Sequence, residues 1–60
     1  MTVSQLEGFV AGVLGHSSYR VTGNDVYLNT DKDARKMCLA LVKQHINFNY
    51  RNNLIIVEVQ

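Results

Sequence analysis

Apolar residues recur at Ala34, Met37, Cys38, Leu41 and Val42, with His45 on the same stripe. That i, i+3, i+4, i+7, i+8 spacing predicts one long helix over Asp31–His45 with a single buried face. At roughly 100° per residue the stripe covers about 140°, and Lys32, Lys36 and Lys43 lie opposite it. Thr30 stands where an N-cap belongs. Asp31 and Asp33 put negative charge on the first turn, where the helix dipole favours it. The rest of the fold can be built outward from this helix.

A weaker helical pattern occupies residues 4–15, SQLEGFVAGVLG. Ser4 and Glu7 have the spacing of a capping box, with Val3 before them as a staple residue. Leu6, Val10 and Val13 mark the expected core face, with Phe9 and Leu14 at its margins. Gly8 and Gly12 each cost a helix interior about 1 kcal/mol relative to alanine. With Ala11 they form a small-residue ridge, suited to close approach of a second copy or to packing against the second helix. Gly15 reads as the residue that stops the helix.

Two hairpins follow the two helices. Tyr19-Arg20-Val21-Thr22 and Asp25-Val26-Tyr27-Leu28 flank Gly23-Asn24, a dipeptide suited to a primed two-residue turn. That turn sets Val21 opposite Val26 and Tyr19 opposite Leu28, so the register agrees with the apolar alternation. Ile46, Phe48 and Tyr50 alternate with polar residues up to Asn52-Asn53, which can take the positive φ of a type I′ turn. Tyr50 then faces Ile55, Phe48 faces Val57 and Ile46 faces Val59. The strands superimpose at an offset of 29 in sequence, Val26 on Ile55 and Leu28 on Val57. The expected architecture is αββαββ, an α+β fold of two helix–hairpin halves, residues 4–29 and 30–60. Its four-stranded antiparallel sheet carries both helices on one face.

Size adds a constraint. A chain of 60 residues is one domain, close to the lower limit for folding alone. Small domains commonly need a staple, and one cysteine excludes an intrachain disulfide. Cys38, His16 and His45 are too few and too scattered for structural zinc. Self-association, most simply a twofold dimer, is the staple that remains. The net charge of +1 gives no strong steer toward a polyanion. Uninterrupted apolar runs such as Leu54 to Val57 are far too short to cross a bilayer. A single thiol and the absence of a secretory-signal layout lead us to expect a complete small cytoplasmic protein.

Candidate chemistry is sparse. Cys38 lies on the apolar stripe as a small hydrophobe, with no base beside it in sequence. Asp31 and Asp33 are accounted for as helix-start residues, and no glycine-rich phosphate loop follows a strand. No catalytic residue, metal or cofactor is expected. Two surfaces remain as binding candidates. On the exposed side of the central helix, Lys32, Arg35, Lys36 and Lys43 surround Leu39, as a contact with an acidic partner would. The open face of the sheet carries Arg20, Thr22, Tyr27, Asn47, Asn49, Arg51, Leu54 and Ile56, with two large aliphatics that a second molecule could cover.

Leu6-Glu7-Gly8-Phe9-Val10-Ala11-Gly12 resembles the opening of the LAGLIDADG motif of homing endonucleases, whose core is also αββαββ. The resemblance covers about seven positions plus the topology. It implies helices paired through small residues and DNA read by the open sheet face. Val13 stands where that family has its metal-binding acid, so cleavage is not implied. The expected function is non-enzymatic: a self-associating protein that binds and modulates or inhibits a larger protein. The alternative is nucleic-acid binding through the open sheet.

Overall fold

A computed structural model describes residues 2–58. Its elements are α1 (Val3–Leu14), β1 (Tyr19–Thr22), β2 (Asp25–Leu28), α2 (Asp31–Lys43), β3 (Phe48–Arg51) and β4 (Leu54–Val57). The strands form one antiparallel sheet in the order β1-β2-β4-β3. The αββαββ expectation holds. Both hairpin registers are the expected ones, Tyr19 with Leu28 and Val21 with Val26, then Phe48 with Val57 and Tyr50 with Ile55. The expected pairing of Ile46 with Val59 lies outside the described residues.

The turns explain those registers. Gly23 has φ +60° while Asn24 does not enter the positive region, the pattern of a II′ turn. Asn52 and Asn53 both have positive φ, 46° and 64°, as a type I′ turn requires. Each hairpin register is therefore set locally by its own dipeptide.

The contact between hairpins is symmetric. β2 meets β4 with Val26 opposite Ile55, Asp25 opposite Ile56 and Tyr27 opposite Leu54. Val26 and Ile55 are also the positions that coincide at the offset of 29, so a pseudo-twofold axis passes through this pair. Two flanking bonds obey it: the Leu28 amide donates to the Asn53 carbonyl, and the Val57 amide to the Asn24 carbonyl, both at 2.9 Å. The helices break the symmetry. α1 buries Leu6, Val10 and Leu14, whereas α2 buries Ala34, Met37 and Leu41. With Val26, Leu28, Ile55 and Val57 these six residues make the fully buried core, between the helices and one face of the sheet.

Four local expectations need correction. Helix α1 begins at Val3, and its capping box is Thr2 with Gln5: the Gln5 amide donates to Thr2 Oγ1 at 3.1 Å and the Thr2 amide to Gln5 Oε1 at 2.8 Å. The earlier box beats Ser4 and Glu7 because it adds the helical residues Val3 and Ser4 at no further nucleation cost. Leu14, not Val13, joins the buried face, because the i, i+4, i+8 row Leu6–Val10–Leu14 is the one that enters the core. Gly8 and Gly12 do not serve packing against α2: a Cβ at either would meet no heavy atom within 4 Å. The fourth concerns the end of α2. The helix stops at Lys43, and His45 is exposed at φ +58° instead of continuing the stripe.

That end is a Schellman motif. The His45 amide donates to the Val42 carbonyl and the Ile46 amide to the Leu41 carbonyl, each at 3.0 Å. Ile46 then folds back on the core beside Leu41, the apolar contact that accompanies this motif. Glycine usually occupies the left-handed position, and here a histidine does. Gly15, at φ +73°, fills the corresponding role after α1.

These packing facts set expected stabilities. Leu41→Ala and Ile55→Ala each remove a side chain with no exposed surface and should lower unfolding free energy by about 2–5 kcal/mol. Gly8→Ala and Gly12→Ala should each raise it, by up to about 1 kcal/mol, because nothing occupies the added methyl's space. Urea titrations of the four variants check both signs, and a loss at either glycine would mean that its ridge is occupied in solution.

Candidate functional site

The two surfaces expected to bind are both exposed, and the sheet order decides what each contains. On the open face, cross-strand pairing produces two rows. One reads Arg20, Tyr27, Leu54, Arg51; the other reads Thr22, Asp25, Ile56, Asn49. The pseudo-twofold axis exchanges the rows in position but not in chemistry: the first carries both arginines and the second an aspartate. With strands about 4.8 Å apart, the two arginine backbones stand about 14 Å from each other. Tyr27 and Ile56 are exposed and Leu54 is half-buried. Asn47 lies just before β3, where its carbonyl accepts the Glu58 amide at 2.9 Å.

On α2, Lys32, Arg35, Lys36, Leu39 and Lys43 are all exposed, and Leu39 retains 65% of its surface. Val42, expected in the core, is 60% exposed. The cause is the width of the sheet. α2 rests on β2 and β4, so only the arc from Met37 to Ala34, about 60° of the expected 140°, faces strands beneath it. Cys38 at the edge of that arc is half-buried, and Val42 beyond it points past the end of the core.

Beneath this flank runs β3, an edge strand whose Tyr50 is on the helix side yet 49% exposed. The two elements border an open groove. It has a volume of about 580 Å³ and is lined by Asp31, Arg35, Cys38, Leu39 and Tyr50. A separate hollow of about 340 Å³, with none of these residues in its lining, lies between Val42 and the segment from Ile46 to Phe48. Tyr50 closes one side, its hydroxyl donating to Asn53 Oδ1 at 3.3 Å. Arg35 and Leu39 were legible as surface residues from the helical period. Tyr50, Val42 and Cys38 were not legible as their neighbours, because that depends on how far the sheet extends under the helix.

A third concavity holds a pair that spacing could not reveal. His16 Nε2 lies 3.0 Å from Asp33 Oδ2, and His16 Nδ1 accepts the Ser18 amide at 3.0 Å. With Nδ1 accepting, the ring proton resides on Nε2 and is donated to the carboxylate. Both ring nitrogens are engaged in this arrangement. The pair ties the α1–β1 loop to the first turn of α2, whose Thr30 cap accepts the Asp33 amide at 3.1 Å. Asp33 therefore does more than favour the helix start.

Burial pushes the Cys38 thiol above its ordinary value. The thiolate is the reactive form, so this location makes Cys38 a poor nucleophile near neutral pH. Among the described residues no three His, Cys, Asp or Glu side chains come together as a metal site. No helix among them is long and apolar enough to cross a membrane. The chain matches no protein-family model, no curated protein and no solved structure, so the LAGLIDADG resemblance rests on its seven positions and the topology alone.

The thiol's position has a measurable consequence. Because folding disfavours the charged form, alkylation of Cys38 by iodoacetamide should reach half its maximal rate above pH 9.0, the ordinary thiol value. A midpoint at or below that value would place the thiol in open water or beside a cation.

Proposed function

We propose that this chain is a non-enzymatic binding protein that docks a larger protein through the groove between α2 and β3 and modulates or inhibits it. The observation that carries this reading is the exposure of Leu39 across the groove from half-exposed Tyr50, with Val42, also exposed, one turn further along α2. These side chains add little to the core, and together they form an apolar strip with a concave floor, the usual form of an interface anchor. Burial of the Cys38 thiol, which disfavours its reactive thiolate, supports a binding role over a catalytic one. We further propose that two copies associate through the open sheet face, over Tyr27, Leu54 and Ile56, and that the protein works in the cytoplasm, where a lone thiol persists.

Affinity capture from the native host tests the leading reading. A protein should be retained by the intact chain after nuclease treatment and lost with the Leu39→Ser, Val42→Ser double variant, whose melting temperature stays close to that of the parent. Nuclease-sensitive capture, or capture indifferent to these residues, would overturn it. Sedimentation equilibrium tests the pairing: a monomer at every concentration would end it.

The row Arg20–Tyr27–Leu54–Arg51 favours a second reading, single-stranded nucleic acid on the open face. A base can stack on Tyr27 while the flanking arginines hold phosphates. Arg20→Ala with Arg51→Ala should then reduce the slope of log affinity against log salt by roughly 1.4. If the intact protein shifts no oligonucleotide in low-salt gels, this reading is finished.

A further inference from the structure

The helix flank that borders the groove is charged: Arg35 lines the groove together with Asp31, and Lys32 and Lys36 line a shallow hollow on the other side of Leu39. Lys32, Arg35, Lys36 and Lys43 make up four of the six Lys and Arg residues in the chain. All four fall within about 60° of Leu39 around α2. Among the described residues the one ion pair is His16 with Asp33, so none of these four cations is within ion-pair distance of a carboxylate. After Asp33 the helix has no acidic residue. Lys32 and Lys36 stand one turn apart, a spacing at which like charges repel. The arc around Leu39 is thus an uncompensated cationic surface with an apolar centre. Asp31 marks its limit at the N-terminal end of the groove, where the helix dipole holds it.

From this arrangement we infer that the partner presents an acidic amphipathic segment. The inference rests on the α2–β3 groove being the docking site. An apolar side chain of the segment seats between Leu39 and Tyr50, and its carboxylates meet Arg35 at the groove and, across Leu39, Lys36 and Lys43. The anchor supplies affinity by leaving water, while the charges steer approach and fix direction. Other anionic surfaces fit less well. Phosphates would satisfy the cations but leave Leu39 and Val42 in water. An anionic bilayer needs a broad apolar helix face, and the apolar face of α2 is already spent on the core through Met37 and Leu41.

Amide chemical-shift mapping of the intact, isotope-labelled protein tests this with synthetic peptides of about 15 residues carrying leucines at i, i+4 and i+7. The Glu/Leu peptide should give saturable shifts at Arg35, Leu39, Val42 and Tyr50. It should bind about tenfold tighter than its Gln/Leu counterpart at low salt, a gap that closes as salt rises. The charge-reversed variant Lys36→Glu, Lys43→Glu should instead prefer a Lys/Leu peptide. Equal binding of the Gln/Leu and Glu/Leu peptides at the same residues would overturn the acidic inference and leave groove docking standing. Equal binding of a Glu/Ser peptide would show charge attraction without an anchor and overturn it too. If no peptide perturbs the groove, or if phosphatidylglycerol vesicles or an oligonucleotide perturb it and the peptides do not, both the inference and the docking reading fail.

Discussion

The structure depends on one non-local pairing, β2 against β4, centred on Val26 and Ile55. Each hairpin is specified locally by its turn, but an isolated two-stranded ribbon is marginal in water. Joining the two central strands makes a four-stranded sheet whose inner face presents Val26, Leu28, Ile55 and Val57 together. That contiguous apolar patch is what gives both helices something to cover. The Leu28–Asn53 and Val57–Asn24 backbone bonds fasten the turn of each hairpin to the central strand of the other, so the turns that set registers also lock the halves. A one-residue slip at this seam would move Val26 or Ile55 to the solvent side. The pair fixes the core and, by the same geometry, the rows on the open face.

What the pairing does not supply is width. Strands of four residues in a four-strand sheet cannot floor the whole apolar arc of α2. The helix centres on β2 and β4, its dipole and cap fixed by Thr30 and by the His16–Asp33 contact, and its Cys38–Val42 flank overhangs the edge strand. The overhang is therefore a consequence of the core, not a defect in it. Rotating α2 to bury Val42 would draw Met37 out from over the sheet, a poor exchange at a residue with no exposed surface.

Legibility in the sequence followed the range of the interactions. Hairpin registers could be read because Gly23-Asn24 and Asn52-Asn53 act within four residues of the positions they align. The start of α1 could not be settled, since Thr2 with Gln5 and Ser4 with Glu7 satisfy the same capping pattern. The end of α2 was hidden by a histidine at a left-handed position that glycine normally announces. Val42 looked buried because helical periodicity reports which residues share a face but not how much of that face a sheet can cover. Lys32, Arg35, Lys36, Leu39 and Lys43 were placed correctly on the surface by that same periodicity. Their neighbour Tyr50 comes from another element, and only the sheet order brings it alongside.

A distinction between two kinds of apolar residue follows. Leu6, Met37, Leu41 and Ile55 are held by contacts on every side, so their chemistry is fixed by packing. Leu39, Val42, Tyr50 and Ile56 are free of that constraint, yet each keeps an apolar or aromatic side chain where a polar one would leave the fold intact. In a chain that buries so little, exposed apolar surface brings the hazard of indiscriminate association without adding stability. The cations around Leu39 limit that hazard, because like-charged helices repel when two copies approach by this face. The same charges leave the groove open to a segment of opposite sign. On the proposed reading, pairing of two copies avoids α2 and uses the open sheet, where one row carries Tyr27 and Leu54 between two arginines and the other carries Ile56 beside an aspartate.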